Sequence, residues 1–280
     1  MSTKYKREYE PWQKGVDKQI SFFLDADVRD KLHIKKDNIL TLGKRPLKFA
    51  RYLSYRRSPE NDRLSVEWLR YSSKAYAAYF ELARQPKKKQ TIKILDCPPV
   101  TWDGSGIIEN GRVYPQVWQE AYFTAAIMRD RESMDSLARF PVDILRKSAT
   151  KTDNQEYLLV EAIQSLHFSR SDYLTKMITL SRSFDFKTAD DWLLYITMGK
   201  LETLLSFTTD METSFNDTLA KNLGNHRLYY ERNTPEDQEP VNSWIAIVLL
   251  GMACMVYDRN ESVTIDSEYI PRFYIEGTYL

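Results

Sequence analysis

Seven apolar side chains, Trp244, Ile245, Val248, Leu249, Met252, Met255 and Val256, recur at the spacing of one face of an α-helix. The same period returns at Trp118, Ala121, Tyr122, Ala125 and Met128, with Pro115 near the start, where a missing N–H costs nothing. It returns again at Trp68, Ser72, Ala75, Tyr79 and Leu82, at Leu174, Met177, Ile178 and Ser181, and at Ile20, Phe23, Leu24, Val28 and Leu32. Stripes of this kind are stable only when buried against one another, so the pattern predicts a mainly α protein: an irregular multi-helix bundle over residues 1–280. Nine glycines in 280 residues point the same way, because turn-rich β folds and phosphate-binding loops need more.

The period breaks between residues 90 and 115. QTIKILDCPPVTWDGSGIIENGRVYP has short β-branched runs, paired prolines and an Asn110–Gly111 step, and predicts a strand followed by a small hairpin, IIENGRVY, turning at Asn110–Gly111. A polar stretch, ERNTPEDQEP, separates two later helices, and Pro271 excludes a continuous helix at the C-terminal end. Asp153 with Glu156, and Thr188 with Asp191, have the form of helix N-terminal capping pairs.

Motifs for chemistry are scarce. There is no GxSxG, GxxxxGK[ST], HExxH or GxGxxG, and two cysteines with three scattered histidines do not assemble a metal site. Cys97 and Cys254 read as buried thiols of a reducing compartment. The N-terminal residues lack the apolar core of a secretory signal, and the most hydrophobic run, 244–257, is short for a membrane span, so a cytoplasmic protein without membrane or cofactor is expected.

Net charge is +1, but residues 1–100 hold 23 Lys and Arg against 12 Asp and Glu, and residues 101–280 hold 17 against 27. The basic part, with aromatics interleaved in FARYLSYRR (49–57), supports one functional reading, a nucleic-acid-associated helical protein. Acidic residues are densest at Glu231, Glu236, Asp237 and Glu239, with Asp190 and Asp191 as a second patch. These six suit contact with the basic cleft of a protein that acts on nucleic acid; the opposite arrangement puts contact on the Arg/Lys-rich segment 44–57. Asp190 and Asp191 also read as favourable charge in a first helical turn.

His226 has three readings. It shares a helix face with Phe215, Leu219, Asn222, Leu223 and Tyr230, so a core imidazole bonded to a polar neighbour comes first; a partner contact and a catalytic pair with Asp217 are the others. His33 and His167 show no carboxylate at helical spacing.

The segment FNDTLAKNLGNHRLYYER, the acidic loop after it, the helix WIAIVLLGMACMVYDRNE and the ending VTIDSEYIPRFYIEG together resemble the immunity protein 49 family of bacterial polymorphic toxin systems. The matching positions are Phe215, Asn216, Leu219, His226, Tyr229, Tyr230, Asp258, Ser267, Tyr269 and Pro271. A second block, VWQEAYFTAAIMRDRESMDSLARFP, is similar to the family through Trp118, Ala121, Ala125, Arg129, Asp130, Leu137 and Pro141. The resemblance implies a helical, non-enzymatic protein that binds and neutralises a cognate toxin domain encoded by a neighbouring gene. It also implies that Trp118, Arg129, Asp130, Phe215, Asn216, His226, Tyr230, Tyr269 and Pro271 form a structural signature.

Overall fold

The computed structural model describes residues 13–25, 29–206, 208, 213–235 and 241–279. The architecture is mainly helical with one two-stranded antiparallel sheet. After α1 (Gln13–Asp25), the long helices α2 (Asp37–Tyr55) and α3 (Pro59–Arg84) form an antiparallel pair. Pro59 opens α3 behind Ser58, whose hydroxyl caps the Asn61 N–H at 3.1 Å. The two helices approach closely at Gly43, where a Cβ would meet the Tyr76 ring at 2.9 Å. Trp68, Ser72, Ala75, Tyr79 and Leu82 all face inward from α3, as their spacing predicts.

The hairpin lies within the expected region but is made elsewhere. β1 (Gln90–Ile92) pairs with β2 (Val100–Trp102), while residues 107–111 form turns instead of a strand. Ile107 and Val113 are fully buried anchors of this segment, and Asn110 is held by the Tyr79 hydroxyl and Asp37 at 3.2 Å each. Gly111, at a φ of 73°, turns the chain without a partner strand.

At the centre is α4 (Pro115–Ile127), with Trp118 stacked on Tyr122 and donating to the Leu137 carbonyl at 2.9 Å. α5 (Arg131–Ala138), α6 (Val142–Lys147), α7 (Asn154–His167) and α8 (Tyr173–Arg182) follow. On α8 the buried face is Tyr173, Met177 and Leu180; Leu174 and Ile178 are about half exposed, so the expected stripe is rotated. The N-terminal stripe is also narrower than expected: Phe23 and Leu32 are buried, Leu24 is exposed, and Val28 lies outside the described residues. A π-helical turn, Trp192–Thr197, leads into α9 (Met198–Ser206), which packs on α10 (Phe215–Asn233). α11 (Ile247–Tyr257) starts later than the stripe from Trp244 suggests and is buried nearly all round against α4. A Cβ at Gly251 would stand 2.6 Å from the Phe123 ring, which is why the two helices can come so close. α12 (Arg272–Glu276) begins behind Pro271, which ends the preceding extended stretch as expected.

Scarce glycine has a structural counterpart at the helix ends. α4, α7 and α11 are followed by Arg129, Ser169 and Asn260 in the left-handed region, at φ of 52°, 50° and 63°. Each is closed by the paired backbone bonds of a Schellman motif, such as Asp130 N–H to Ala125 O at 2.9 Å. A non-glycine there costs about 1 kcal/mol. Arg129 offsets it: its guanidinium donates to Asp258 at 2.9 Å and to the carbonyls of Ile127, Tyr274 and Ile275 at 2.9, 2.6 and 2.6 Å. Asp130 caps α5 through Ser133 and binds Ser73 and Lys74 on α3 at 2.7 and 2.9 Å. This Arg–Asp step therefore ties α3, α4, α5, α11 and α12 together.

Much of FARYLSYRR is taken up inside the fold. Phe49, Tyr52 and Leu53 are core residues, Arg56 is paired with Asp17, and Arg57 with Asp62. Among the described residues no helix is long and apolar enough to cross a membrane.

Replacing Arg129 by Gly removes the left-handed strain yet takes the guanidinium donors from Asp258 and from the carbonyls of Ile127, Tyr274 and Ile275. We expect a net destabilisation of about 2–4 kcal/mol in urea unfolding. A variant as stable as the parent would show that the guanidinium cage contributes nothing.

Candidate functional site

A single face of α2 carries Lys44, Lys48 and Arg51, one and two turns apart. This face forms one wall of a cleft of about 770 Å³. The π-helical turn and α10 supply the opposite wall with Trp192, Tyr195, Tyr229, Tyr230 and Asn233; Gln119, Lys200, Asn222 and His226 lie deeper. Stacking the turn into π geometry sets Trp192, Tyr195 and Ile196 along one side of the opening.

Beneath the floor sits Glu156, fully buried on α7. Its Oε1 accepts from Trp192 Nε1 at 2.8 Å and Thr197 Oγ1 at 2.6 Å, with Lys200 Nζ at 3.5 Å; its Oε2 accepts from Gln119 Nε2 at 2.6 Å. Lys200 closes the ring by donating to Gln119 Oε1 at 2.8 Å. Burial alone would push the Glu156 carboxyl up; Lys200 and the three donors outweigh it and hold it below the usual range. The sequence pattern casts Glu156 as a helix-capping residue, and this is corrected: it faces inward and joins four elements.

His226 is a core imidazole. Its Nε2–H donates to the Ser243 carbonyl at 3.0 Å, and its ring packs edge-on against Tyr230 and Tyr269. Burial pushes its pKa down to about 4, with Ser243 opposing and Arg51 and Lys200 adding to the shift. Asp217 is exposed in the first turn of α10 and bonded to Ser214, about 14 Å along the helix from His226. The two do not form a pair. Asn222 bonds Gly199 O and Thr203 and does not reach His226.

His167, without an evident partner in the sequence, does have one. Asp135 lies 2.7 Å from its Nε2 and the Tyr122 hydroxyl 3.0 Å from its Nδ1. Burial drives the Tyr122 hydroxyl well above its ordinary value, so this line of groups presents no accessible nucleophile. Among the described residues no cluster of His, Cys, Asp or Glu is placed to hold a metal ion.

The acidic candidates separate. Asp190 caps the π-helical turn by accepting from Leu193 N–H at 2.8 Å, which replaces the expected Thr188 cap, and Asp191 accepts from Asn233 at 3.3 Å. Both stand near Tyr229, whose hydroxyl is raised by burial and then by these carboxylates. They therefore mark the aromatic rim of the cleft. Glu231 is exposed and paired with Arg227, away from the lining. Glu236, Asp237 and Glu239 lie outside the described residues.

Other residues of the family resemblance make internal contacts. Asn216 fastens α10 to the 262–264 stretch by bonds to Ser262 O and Thr264 N–H, and Phe215 is buried beside it. Tyr269 O accepts from Ala246 N–H at the start of α11. Sequence periodicity missed Glu156, Lys200 and Gln119 because their relation is tertiary; Lys44, Lys48 and Arg51 were visible only as part of the basic segment 44–57.

These elements define a mainly helical protein with a cleft lined by basic, aromatic and amide side chains. The family model described as immunity protein 49 matches residues 57–274. The chain belongs to that family. No curated protein and no solved structure gives a significant match.

Because His226 is held neutral, its contribution to stability is complete above its unfolded pKa near 6.5 and is lost as pH falls toward 4. His167, also depressed by burial, acts in the same direction. We expect wild-type stability to fall by on the order of 3 kcal/mol over this interval on account of His226. His226→Gln should be less stable at pH 7 by about 1–3 kcal/mol and show a flatter profile. Equal slopes for the two proteins in urea unfolding at pH 7, 6 and 5 would contradict a buried neutral imidazole.

Proposed function

We propose that the protein neutralises a cognate toxin domain by binding it in a fixed ratio and covering its working surface. Membership in the immunity protein 49 family over most of the chain is the observation that carries this reading. The signature residues support it, since Arg129, Asp130, Asn216 and His226 are committed to internal bonds and leave recognition to the surface around the cleft. The partner is the toxin encoded by a neighbouring gene, and the protein works by binding, in the cytoplasm.

The acidic rim contributes to encounter. Asp190 and Asp191 stand where α10 ends, and Glu236, Asp237 and Glu239 follow a few residues on in sequence. Asp190 and Asp191, joined in the sequence by the acidic residues Glu236, Asp237 and Glu239, suit the basic surface of a toxin that acts on nucleic acid. Glu231, paired with Arg227, adds to the local negative field without a place in the lining.

Expressed alone, the protein should leave nucleic acids, nucleotides and peptides unchanged; with its neighbour's toxin domain it should restore growth and co-purify. Turnover of any such substrate by pure protein would overturn the reading. Changing Asp191, Glu236, Asp237 and Glu239 to Lys should slow association by about tenfold at low salt, with the deficit shrinking as salt rises. An unchanged association rate would remove the acidic rim from the contact.

A further inference from the structure

The cleft has a polarity that the acidic rim does not explain. Lys44 and Lys48 face its mouth one turn apart on α2, and among the described residues neither makes a salt bridge or hydrogen bond. The Lys48 ammonium lies 5.9 Å from the Tyr52 ring centroid. Arg51, one turn deeper and 9 % exposed, donates through Nη1 to Asn242 at 3.0 Å and through Nη2 to Glu120 at 3.2 Å. Its Nε is buried and finds no protein acceptor. Among the described residues Glu120 is the one carboxylate lining the cleft, and its oxygens already accept from Arg51 and from the Tyr76 hydroxyl at 2.8 Å. Among the described residues the wall is therefore positive, with two ammonium groups that have no carboxylate partner and an unmet Arg51 donor behind them.

We propose that this wall receives an acidic segment of the partner protein, a carboxylate side chain entering between Lys44 and Lys48 toward Arg51, its stem resting on the tyrosines opposite. The inference rests on the toxin-binding reading above and names the chemistry that the cleft would take. A volume of about 770 Å³ accommodates a few side chains of an inserted segment, not a folded domain. A mixed-charge peptide fits both edges at once: its acid meets α2 while a neighbouring base meets Asp190 and Asp191. A nucleic-acid strand fits less well, because its continuous negative charge would run past Glu120 inside the cleft and the two aspartates at the rim. Desolvated ion pairs of this kind fix register and slow dissociation, whereas the acidic rim acts on encounter.

The test uses the full chain and the toxin domain of the neighbouring gene, with affinities from titration calorimetry. Lys44→Glu/Lys48→Glu is compared with Lys88→Glu/Lys89→Glu, which makes the same charge change on the exposed turn after α3. The cleft variant should bind at least about tenfold more weakly than wild type, mainly through faster dissociation, and the distal variant within about twofold of it. Lys44→Gln/Lys48→Gln should lose affinity in the same direction, and melting curves establish that all variants are folded. Equal affinities for cleft and distal variants would overturn the inference while leaving toxin binding intact. No binding by the wild-type chain would overturn the toxin-binding reading itself, and this inference with it. A labelled single-stranded oligonucleotide serves as a further probe. Its binding by wild type, lost in the cleft variant, would assign the wall to nucleic acid and contradict a carboxylate ligand.

Discussion

A carboxylate cut off from water has to be answered by the protein, and Glu156 is answered by four side chains from three other segments. Gln119 comes from α4, Trp192 and Thr197 from the π-helical turn, and Lys200 from α9. Each donor is useful only if its backbone is in register, so one ionised group fixes the relative placement of the segments that make the cleft floor. The surrounding apolar core supplies the bulk of the stability but little of this specificity, since Leu, Ile and Met contacts tolerate small sliding. The Arg129 cage plays the same part on the far side of α4, joining α11 and α12 through Asp258 and two backbone carbonyls.

Much of the fold is legible in the sequence where one helix face is buried against one neighbour. α3 and α4 show this: their stripes name the core residues correctly. The reading fails where burial is not one-sided. α11 is covered nearly all round, so a stripe understates it and misplaces its start, while α8 is half covered and its buried face is rotated from the predicted one. Helix ends were obscured for a different reason. Arg129, Ser169 and Asn260 take the left-handed position that glycine signals in most chains, and nothing local in the sequence marks them. The Asn110–Gly111 step is a true turn, but its flanks are held by Tyr79, Asp37 and Thr150 and not by each other.

The site was legible only in part. The His226 stripe correctly marks a buried imidazole, and the acidic and basic segments were both visible as charge. What one dimension hides is that Lys44 and Lys48 share a cleft with Asn233, to which Asp191 is bonded. Charges of both signs around one cleft make an orienting surface.

If the Glu156 carboxylate organises the cleft floor, urea unfolding of Glu156→Gln will show it. The substitution keeps the shape, removes the charge and leaves Lys200 buried without its counterion. The expected loss is about 3–5 kcal/mol, with a substantial part recovered in the Glu156→Gln/Lys200→Met double variant. A loss below about 1 kcal/mol, no more than an ordinary hydrogen bond, would contradict it.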